Sequence, residues 1–283
     1  METVDMRVLV TGSKGQLGSD IVNELKKNHM EHFAADRSNF DLMNDSQMVE
    51  ILEKYQPTHV IHCAAYTHVD QAEEEKDLAY KVNVEATQLL AKWCQANGAK
   101  LVFFSTDYVF DGNLNRPYTV LDKPNPVNYY GFTKAEAEQK IQDLCDDYLI
   151  YRVSWLFGLN GQNFVKTISN LLKFKESITV VDDQIGSPTF TVDIATYVVQ
   201  KMKTDIGFQH LHNKGFISWY EFAKLIQKYL KTKCYIVPIH TSDNEKKKMA
   251  KRPLNSRLEA EEITQLRPIE DALFDFLTLL MKA

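Results

Sequence analysis

A glycine-punctuated turn between the first apolar run and the first amphipathic stretch constrains this chain most. Met6 to Val10 is a short apolar run entering Thr11, and Gly12-Ser13-Lys14-Gly15-Gln16-Leu17-Gly18 follows. Ile21, Val22 and Leu25 then recur at helical spacing among Asp20, Asn23, Glu24 and Lys26. This reads as strand, tight turn, helix. Glycines at such a turn let the backbone reverse sharply and approach a pyrophosphate held at the helix N-terminus. A Gly-x-x-Gly-x-x-Gly run alone is a weak signal. Its place after the first strand makes Gly12, Gly15 and Gly18 candidate phosphate-binding positions.

The same alternation continues through the first half. Strands are expected at His32 to Ala35, at the apolar run Val60-Ile61-His62-Cys63-Ala64-Ala65, at Leu101 to Phe104 and at Leu149 to Val153. Helices are expected around Gln47 to Tyr55, from Leu78 to Ala96 and from Thr133 to Leu144. Apolar strands separated by amphipathic helices predict an α/β fold, a Rossmann-type doubly wound parallel sheet covered on both faces. After Gly158 the alternation weakens. Helices are expected at Phe164 to Leu172, at Asp193 to Met202 and from the capping-box pattern Ser218-Trp219-Tyr220-Glu221 through Leu230, with strands at Ile178 to Val181 and Tyr235 to Pro238. The expected organisation is two interleaved domains. A dinucleotide-binding domain spans 1-156 with 180-213, and a smaller α+β substrate domain spans 157-179 with 214-283.

Composition removes several function classes. The 283 residues carry a formal net charge of -5, against the basic footprint of a nucleic-acid-binding protein. Cys63, Cys94, Cys145 and Cys234 include no Cys-x-x-Cys pair, so neither a zinc site nor a disulfide framework is indicated, and reduced thiols fit a cytoplasmic protein. The first residues are acidic, and no apolar run approaches the roughly 18 to 20 residues of a spanning helix. The basic run Lys246-Lys247-Lys248 with Lys251-Arg252 reads as a solvated loop in preference to a diphosphate contact.

Tyr130 and Lys134 lie four residues apart, a spacing that places a phenol and an ammonium on one helix face. A free phenol titrates near pH ~10, and bringing it to pH 7 takes roughly 4 kcal/mol of phenolate stabilisation, much of which one lysine can supply. The spacing recurs at Tyr197/Lys201, Tyr220/Lys224 and Tyr229/Lys233, where apolar neighbours suggest packing. Only Tyr130 follows a strand ending in Ser105-Thr106-Asp107, and ligand sites of open α/β sheets lie at such carboxyl ends. Thr106 can hydrogen-bond both a substrate carbonyl oxygen and the phenol. The small residues of Cys63-Ala64-Ala65-Tyr66-Thr67 would let a nicotinamide ring lie on the backbone, and tight packing explains them equally. Past the second strand, Asp36 suits the ribose hydroxyls of NAD and Arg37 suits the phosphate of NADP; Lys14 tips the balance toward NADP(H), with NAD(H) the alternative.

Gly-x-x-Gly-Gln-Leu-Gly, Cys-Ala-Ala-Tyr-Thr-His-Val-Asp, Ser-Thr-Asp-Tyr-Val-Phe-Asp-Gly, Tyr-Gly-x-Thr-Lys, Arg-Val-Ser-Trp-Leu-Phe-Gly, Asp-Gln-Ile-Gly-Ser-Pro-Thr and Arg-Pro-Leu-Asn-Ser occur here in that order. Together, from residue 6 to about 258, they resemble the dTDP-4-dehydrorhamnose reductase family of extended short-chain dehydrogenase/reductases. The resemblance implies hydride transfer from NAD(P)H to C4 of a dTDP-linked 4-keto-6-deoxy sugar, in rhamnose supply for cell-surface polysaccharide. It implies Tyr130 as proton donor, Lys134 as its partner and ribose ligand, and Thr106 as the residue tuning the phenol. Asp107 and Trp155 would contact the sugar nucleotide. Gly15, Gln16, Leu17, Asp41, Leu42, Ala65, Tyr66, Thr67 and Phe104 would line the cofactor.

The chain departs from the family near its end, where Thr264-Gln265-Leu266-Arg267-Pro268-Ile269 leads in without the usual tryptophan. Some members bridge a homodimer through magnesium. Asp20 falls at one such place, the remaining ligands cannot be assembled, and no catalytic metal is expected. Rival readings are a 4,6-dehydratase, opposed by Tyr108 where those enzymes need a glutamate, and a 4-epimerase, which would retain its nicotinamide cofactor. From another class comes a non-catalytic regulatory subunit like the β subunit of methionine adenosyltransferase, which Thr106, Tyr130 and Lys134 together disfavour.

Overall fold

The computed structural model describes residues 6–244, 249–261 and 265–282, so the lysines 246–248 and Thr264 lie outside the described residues. The chain begins β1 (Val8–Thr11), α1 (Gln16–Lys27), β2 (His32–Ala35), α2 (Asp45–Tyr55) and β3 (His59–His62). Two short helices, α3 (Val69–Ala72) and α4 (Lys76–Tyr80), lead through a π-helical turn at Lys81–Glu85 into α5 (Ala86–Asn97). Then come β4 (Lys100–Thr106), α6 (Tyr129–Leu144), β5 (Tyr148–Val153), β6 (Leu156–Phe157), α7 (Phe164–Phe174), β7 (Ser177–Val181), β8 (Ile185–Gly186), β9 (Thr189–Phe190) and α8 (Thr191–Lys201). The last elements are β10 (Gly207–His210), β11 (His212–Lys214), β12 (Ile217–Ser218), α9 (Trp219–Leu230), β13 (Tyr235–Ile239), β14 (Gln265–Pro268) and α10 (Ile269–Leu280).

Six strands form one parallel sheet in the order β10-β5-β4-β3-β1-β2. Successive side chains of a strand point to opposite faces, so each strand feeds two cores. Leu9, Val60, Leu101, Phe103 and Ile150 pack with Met48 and Leu52 of α2, Leu90 and Trp93 of α5, and Ala137 and Ile141 of α6. Val8, Val10, Ile61, Val102, Leu149 and Tyr151 pack instead with Ile21 and Leu25 of α1 and Ile194 and Val198 of α8. The chain leaves β1 in one direction to form β2 and crosses back to form β3. The switch point between β1 and β3 opens a crevice at the carboxyl ends of the strands, where ligands of this fold class bind. A third core, built by Phe157, Val165, Phe190, Phe222, Leu273 and Phe276, gathers α7, α9 and α10.

Three local differences from the sequence expectations have physical causes. α6 starts at Tyr129 rather than Thr133, because the Asn128 side chain caps it by accepting from the Gly131 N–H at 2.8 Å. Tyr130 therefore sits in the first turn of that helix. The expected helix from Leu78 to Ala96 is interrupted by the π-helical turn, which carries Asn83. The sixth strand, β10, is a short segment of half-buried residues whose alternation is too brief to read alone.

Candidate functional site

The glycine turn is held by backbone contact. Gly12 has φ +64°, and a Cβ there would lie 2.8 Å from the Ala64 nitrogen; one on Gly18 would lie 2.2 Å from the Gly12 carbonyl oxygen. Gly15 occupies the N-cap of α1 with no side-chain hydrogen bond, which leaves the first-turn N–H groups for an anion. These residues fit a dinucleotide pyrophosphate. Thr11 Oγ1 accepts from the Ala64 N–H at 3.2 Å and meets His62 Nδ1 at 2.7 Å, so β1 and the loop after β3 are clamped together beside the turn. Burial pulls the His62 pKa down to about 3, which keeps the imidazole neutral.

The residues implied as cofactor-lining divide in two. Gln16 uses its side chain elsewhere, donating to the Leu156 carbonyl at 3.0 Å and accepting from Asn163 at 2.9 Å, while Leu17 is buried in the sheet core. Phe104 also points into that core, stacked on Tyr151, and Leu42 is buried against the opposite face. Asp41 caps its own turn by accepting from the Met43 N–H at 3.0 Å. Ala64, Ala65 and Tyr66 are partly open at the crevice, and Thr67 is exposed. Asp36 follows β2 with its carboxylate paired to Lys14 Nζ at 2.5 Å and accepting from the Ser38 N–H and hydroxyl at 2.7 and 2.6 Å; Lys14 holds its pKa well below the carboxylate range. Arg37 beside it is exposed.

Across the crevice, Thr106 ends β4 and Tyr130 lies in the first turn of α6. Enclosure by the protein raises the Tyr130 pKa further above that of a free phenol. This differs from the effect expected of Lys134. Its ammonium lies 3.9 Å from the centroid of the Phe103 ring, and burial pulls its pKa down to about 7 against the opposing charge of Glu138. The result is a phenol that keeps its proton at neutral pH. Among the other pairs, Tyr220 and Lys224 meet only as a cation over a ring, and Lys233 lies beyond the end of α9.

Asp107 is 2% exposed and is enclosed by hydroxyls. Thr106 donates to Oδ1 at 3.0 Å and Ser154 to Oδ2 at 3.1 Å, and Ser256, whose hydroxyl donates to the Ile185 carbonyl at 3.4 Å, lies near enough to favour the carboxylate. Trp155 holds φ +47°, a conformation costing a bulky residue about 1–3 kcal/mol, and stacks on Trp219 at 3.4 Å with the planes 3° apart. Phe164 extends that aromatic wall. The solvated-loop reading of the basic run fails for Arg252, which is partly buried, donates to the Asp70 carboxylate and bonds the Tyr108 side chain.

Sequence reasoning missed Asn83. It is 1% exposed, accepts from the Tyr66 N–H at 2.8 Å, and donates to the Tyr66 carbonyl at 3.1 Å and to Thr133 Oγ1 at 2.9 Å. One side chain thus ties the crevice loop to the helix of Tyr130 and Lys134. A π-turn inside a helix is itself a signal of such sites, but it is not written in hydrophobic spacing. Asp20 is buried and accepts from Thr191 Oγ1 at 2.6 Å, which pins α8 to α1. Asp182, Asp183 and His240 bring ligand atoms within 4.8 Å of one another, although Asp183 already accepts from the Thr241 N–H and hydroxyl.

The RmlD substrate binding domain family matches residues 6–277. A dTDP-4-dehydrorhamnose reductase from Aggregatibacter actinomycetemcomitans is 38% identical over 273 residues, 92% of each chain. A dTDP-4-keto-6-deoxy-D-glucose reductase from Streptomyces niveus is 37% identical over 221 residues, 77% of each. The crystal structure of dTDP-4-dehydrorhamnose reductase from Bacillus anthracis str. Ames in complex with NADP superposes with a TM-score of 0.93 at 39% identity, covering 98% of this chain and 100% of that one.

Proposed function

Because the chain belongs to the RmlD substrate binding domain family, alongside dTDP-4-dehydrorhamnose reductases, we propose that it reduces the C4 ketone of dTDP-4-dehydro-L-rhamnose to give dTDP-L-rhamnose. The observation that carries the reading is Thr106 at the carboxyl end of β4 with Tyr130 and Lys134 on α6, in a parallel sheet whose first strand enters the glycine turn. NADPH, when bound, supplies the hydride. Tyr130 then gives its proton to the forming C4 alkoxide, a general-acid step typically worth ~10²–10⁴ in rate. The raised phenol pKa suits that direction, since a tyrosine already ionised at neutral pH would have nothing to donate. Thr106 orients the carbonyl oxygen and the phenol together, and Lys134 holds the cofactor ribose. Trp155 and the neighbourhood of Asp107 receive the sugar nucleotide.

NADPH is favoured over NADH by the state of Asp36. A free carboxylate at that position would repel a ribose 2′-phosphate, but here Lys14 and Ser38 occupy it, and Arg37 stands exposed beside them. Among the described residues no helix is long and apolar enough to cross a membrane. We place the activity in the cytoplasm, with its soluble nucleotide-sugar substrate. The test is oxidation of NADPH by the purified protein with dTDP-4-dehydro-L-rhamnose, the product identified by NMR. Turnover confined to dTDP-4-keto-6-deoxy-D-glucose would move the assignment to a different sugar.

A further inference from the structure

We propose that Asn128 is a positioning residue for the reduction, tying the helix of Tyr130 to the segment 250–256 that runs on to the strand backing Trp155. This rests on the reductase reading and concerns how its proton donor is held in place.

Asn128 is 6% exposed and uses both ends of its amide. Its Oδ1 accepts from the Gly131 N–H at 2.8 Å, which caps α6, and its Nδ2 donates to the Lys251 carbonyl at 2.8 Å. The cap alone asks only for an acceptor, which serine or aspartate supplies as well as asparagine. The second bond asks for more. It joins residues 123 apart in the chain, and an amide carries its donor and its acceptor on separate atoms that reach in two directions.

A third segment closes the frame. Glu73, at the end of α3, accepts from the Tyr129 N–H at 2.8 Å, and Asp70 in the same helix accepts from the Ala250 N–H at 3.0 Å and pairs with Arg252. Thus α3, the first turn of α6 and residues 250–252 are each bonded to the other two. Tyr130 lies in the turn so held.

Further along, the same segment is bonded to β8, where the Leu254 carbonyl accepts from the Ile185 N–H and the Ser256 N–H donates to the Ile185 carbonyl, both at 2.8 Å. Gly186 follows, and it backs Trp155 so closely that a Cβ there would lie 2.5 Å from the indole. One short stretch of chain therefore meets the cap of the proton donor's helix at Lys251 and the support of Trp155 at Leu254. A sugar nucleotide on Trp155 and the phenol of Tyr130 are held to one spacing by it. Misplacing a reacting group by about 1 Å can cost ~10²-fold in rate, so the tie matters to the chemistry.

Asn128→Ser and Asn128→Asp both keep an acceptor for the Gly131 N–H and lose the donor to Lys251, and the serine does so without adding a charge. In both, kcat with dTDP-4-dehydro-L-rhamnose is expected to fall about tenfold or more while NADPH affinity is unchanged. Proton transfer from Tyr130 then limits turnover more, so the solvent deuterium isotope effect on kcat should rise, which a smaller fraction of folded protein would not produce. Asp70→Ala frees the same segment at its other tie. Added to Asn128→Ser, it should lower kcat by less than the product of the two separate effects. Wild-type kcat in both Asn128 variants, a fall confined to Asn128→Asp, or a fall with an unchanged isotope effect overturns the positioning role while leaving the reductase intact. A wild type that does not turn over overturns the reductase reading and this inference with it.

Discussion

A Cβ placed on Gly131 would lie 2.1 Å from the carbonyl oxygen of Tyr108, so the first turn of α6 meets the turn after β4 backbone against backbone. Tyr108 lies in the turn just after Thr106, so that contact sets the position of Tyr130, the next residue back, relative to Thr106. Gly131→Ala should push the two elements apart, costing about 1–3 kcal/mol by overpacking. A urea melt should show the loss of stability, and kcat should fall by more than the affinity for NADPH does. A variant with wild-type kcat would mean that this contact does not position the phenol.

Asn83 satisfies both backbone groups of Tyr66 and the hydroxyl of Thr133. In Asn83→Ala the Tyr66 backbone groups lose this partner, each at a cost of about 1–3 kcal/mol, while Thr133 still donates to the Tyr130 carbonyl. NADPH affinity, followed by nicotinamide fluorescence, should weaken by about tenfold or more. Unchanged affinity would confine Asn83 to a structural role.

Lys14 is predicted to set cofactor preference by occupying Asp36. Lys14→Ala frees the carboxylate to take the ribose hydroxyls of NADH and to repel the phosphate of NADPH. The ratio of kcat/KM for NADPH to that for NADH should drop about tenfold, equivalent to about 1.4 kcal/mol. Asp36→Ala should move the ratio the other way, and a ratio indifferent to both changes would place the discrimination elsewhere.

Lys134 should be a stability cost. Its folded pKa, about 7, lies below the ~10.4 of an unfolded lysine, so between these values the unfolded chain holds a proton that the folded chain has lost. Stability attributable to this group therefore rises with pH across that window, and the full penalty applies below it. Lys134→Met should stabilise the unliganded protein by on the order of 1–3 kcal/mol at pH 6, with the gain vanishing above about pH 10.5. Thermal melts of both proteins across that range check the sign, and a Met variant less stable at pH 6 contradicts it.

Much of this fold is legible in the order of residues. Val8, Leu9 and Val10, or Leu101 to Phe104, are apolar without interruption because each strand is buried on both faces, and the glycine turn carries its own local geometry. The site was less legible where distant segments meet. Ser154 bonds and Ser256 lies beside the same carboxylate, and Trp219 finds Trp155, through contacts that no local period encodes. The four-residue spacing of Tyr130 and Lys134 located the pair correctly on one helix. It misjudged their interaction, because Phe103 of β4 lies beneath the helix and takes the ammonium in its place.

The central claim is that Tyr130 delivers the proton in a reduction by NADPH. It is tested most directly by the single-turnover rate of NADPH oxidation with saturating dTDP-4-dehydro-L-rhamnose, in wild type and in Tyr130→Phe, with cofactor binding measured in both. The account predicts a rate lower by ~10²–10⁴ in the Phe variant at similar NADPH affinity. An undiminished rate in Tyr130→Phe would contradict it.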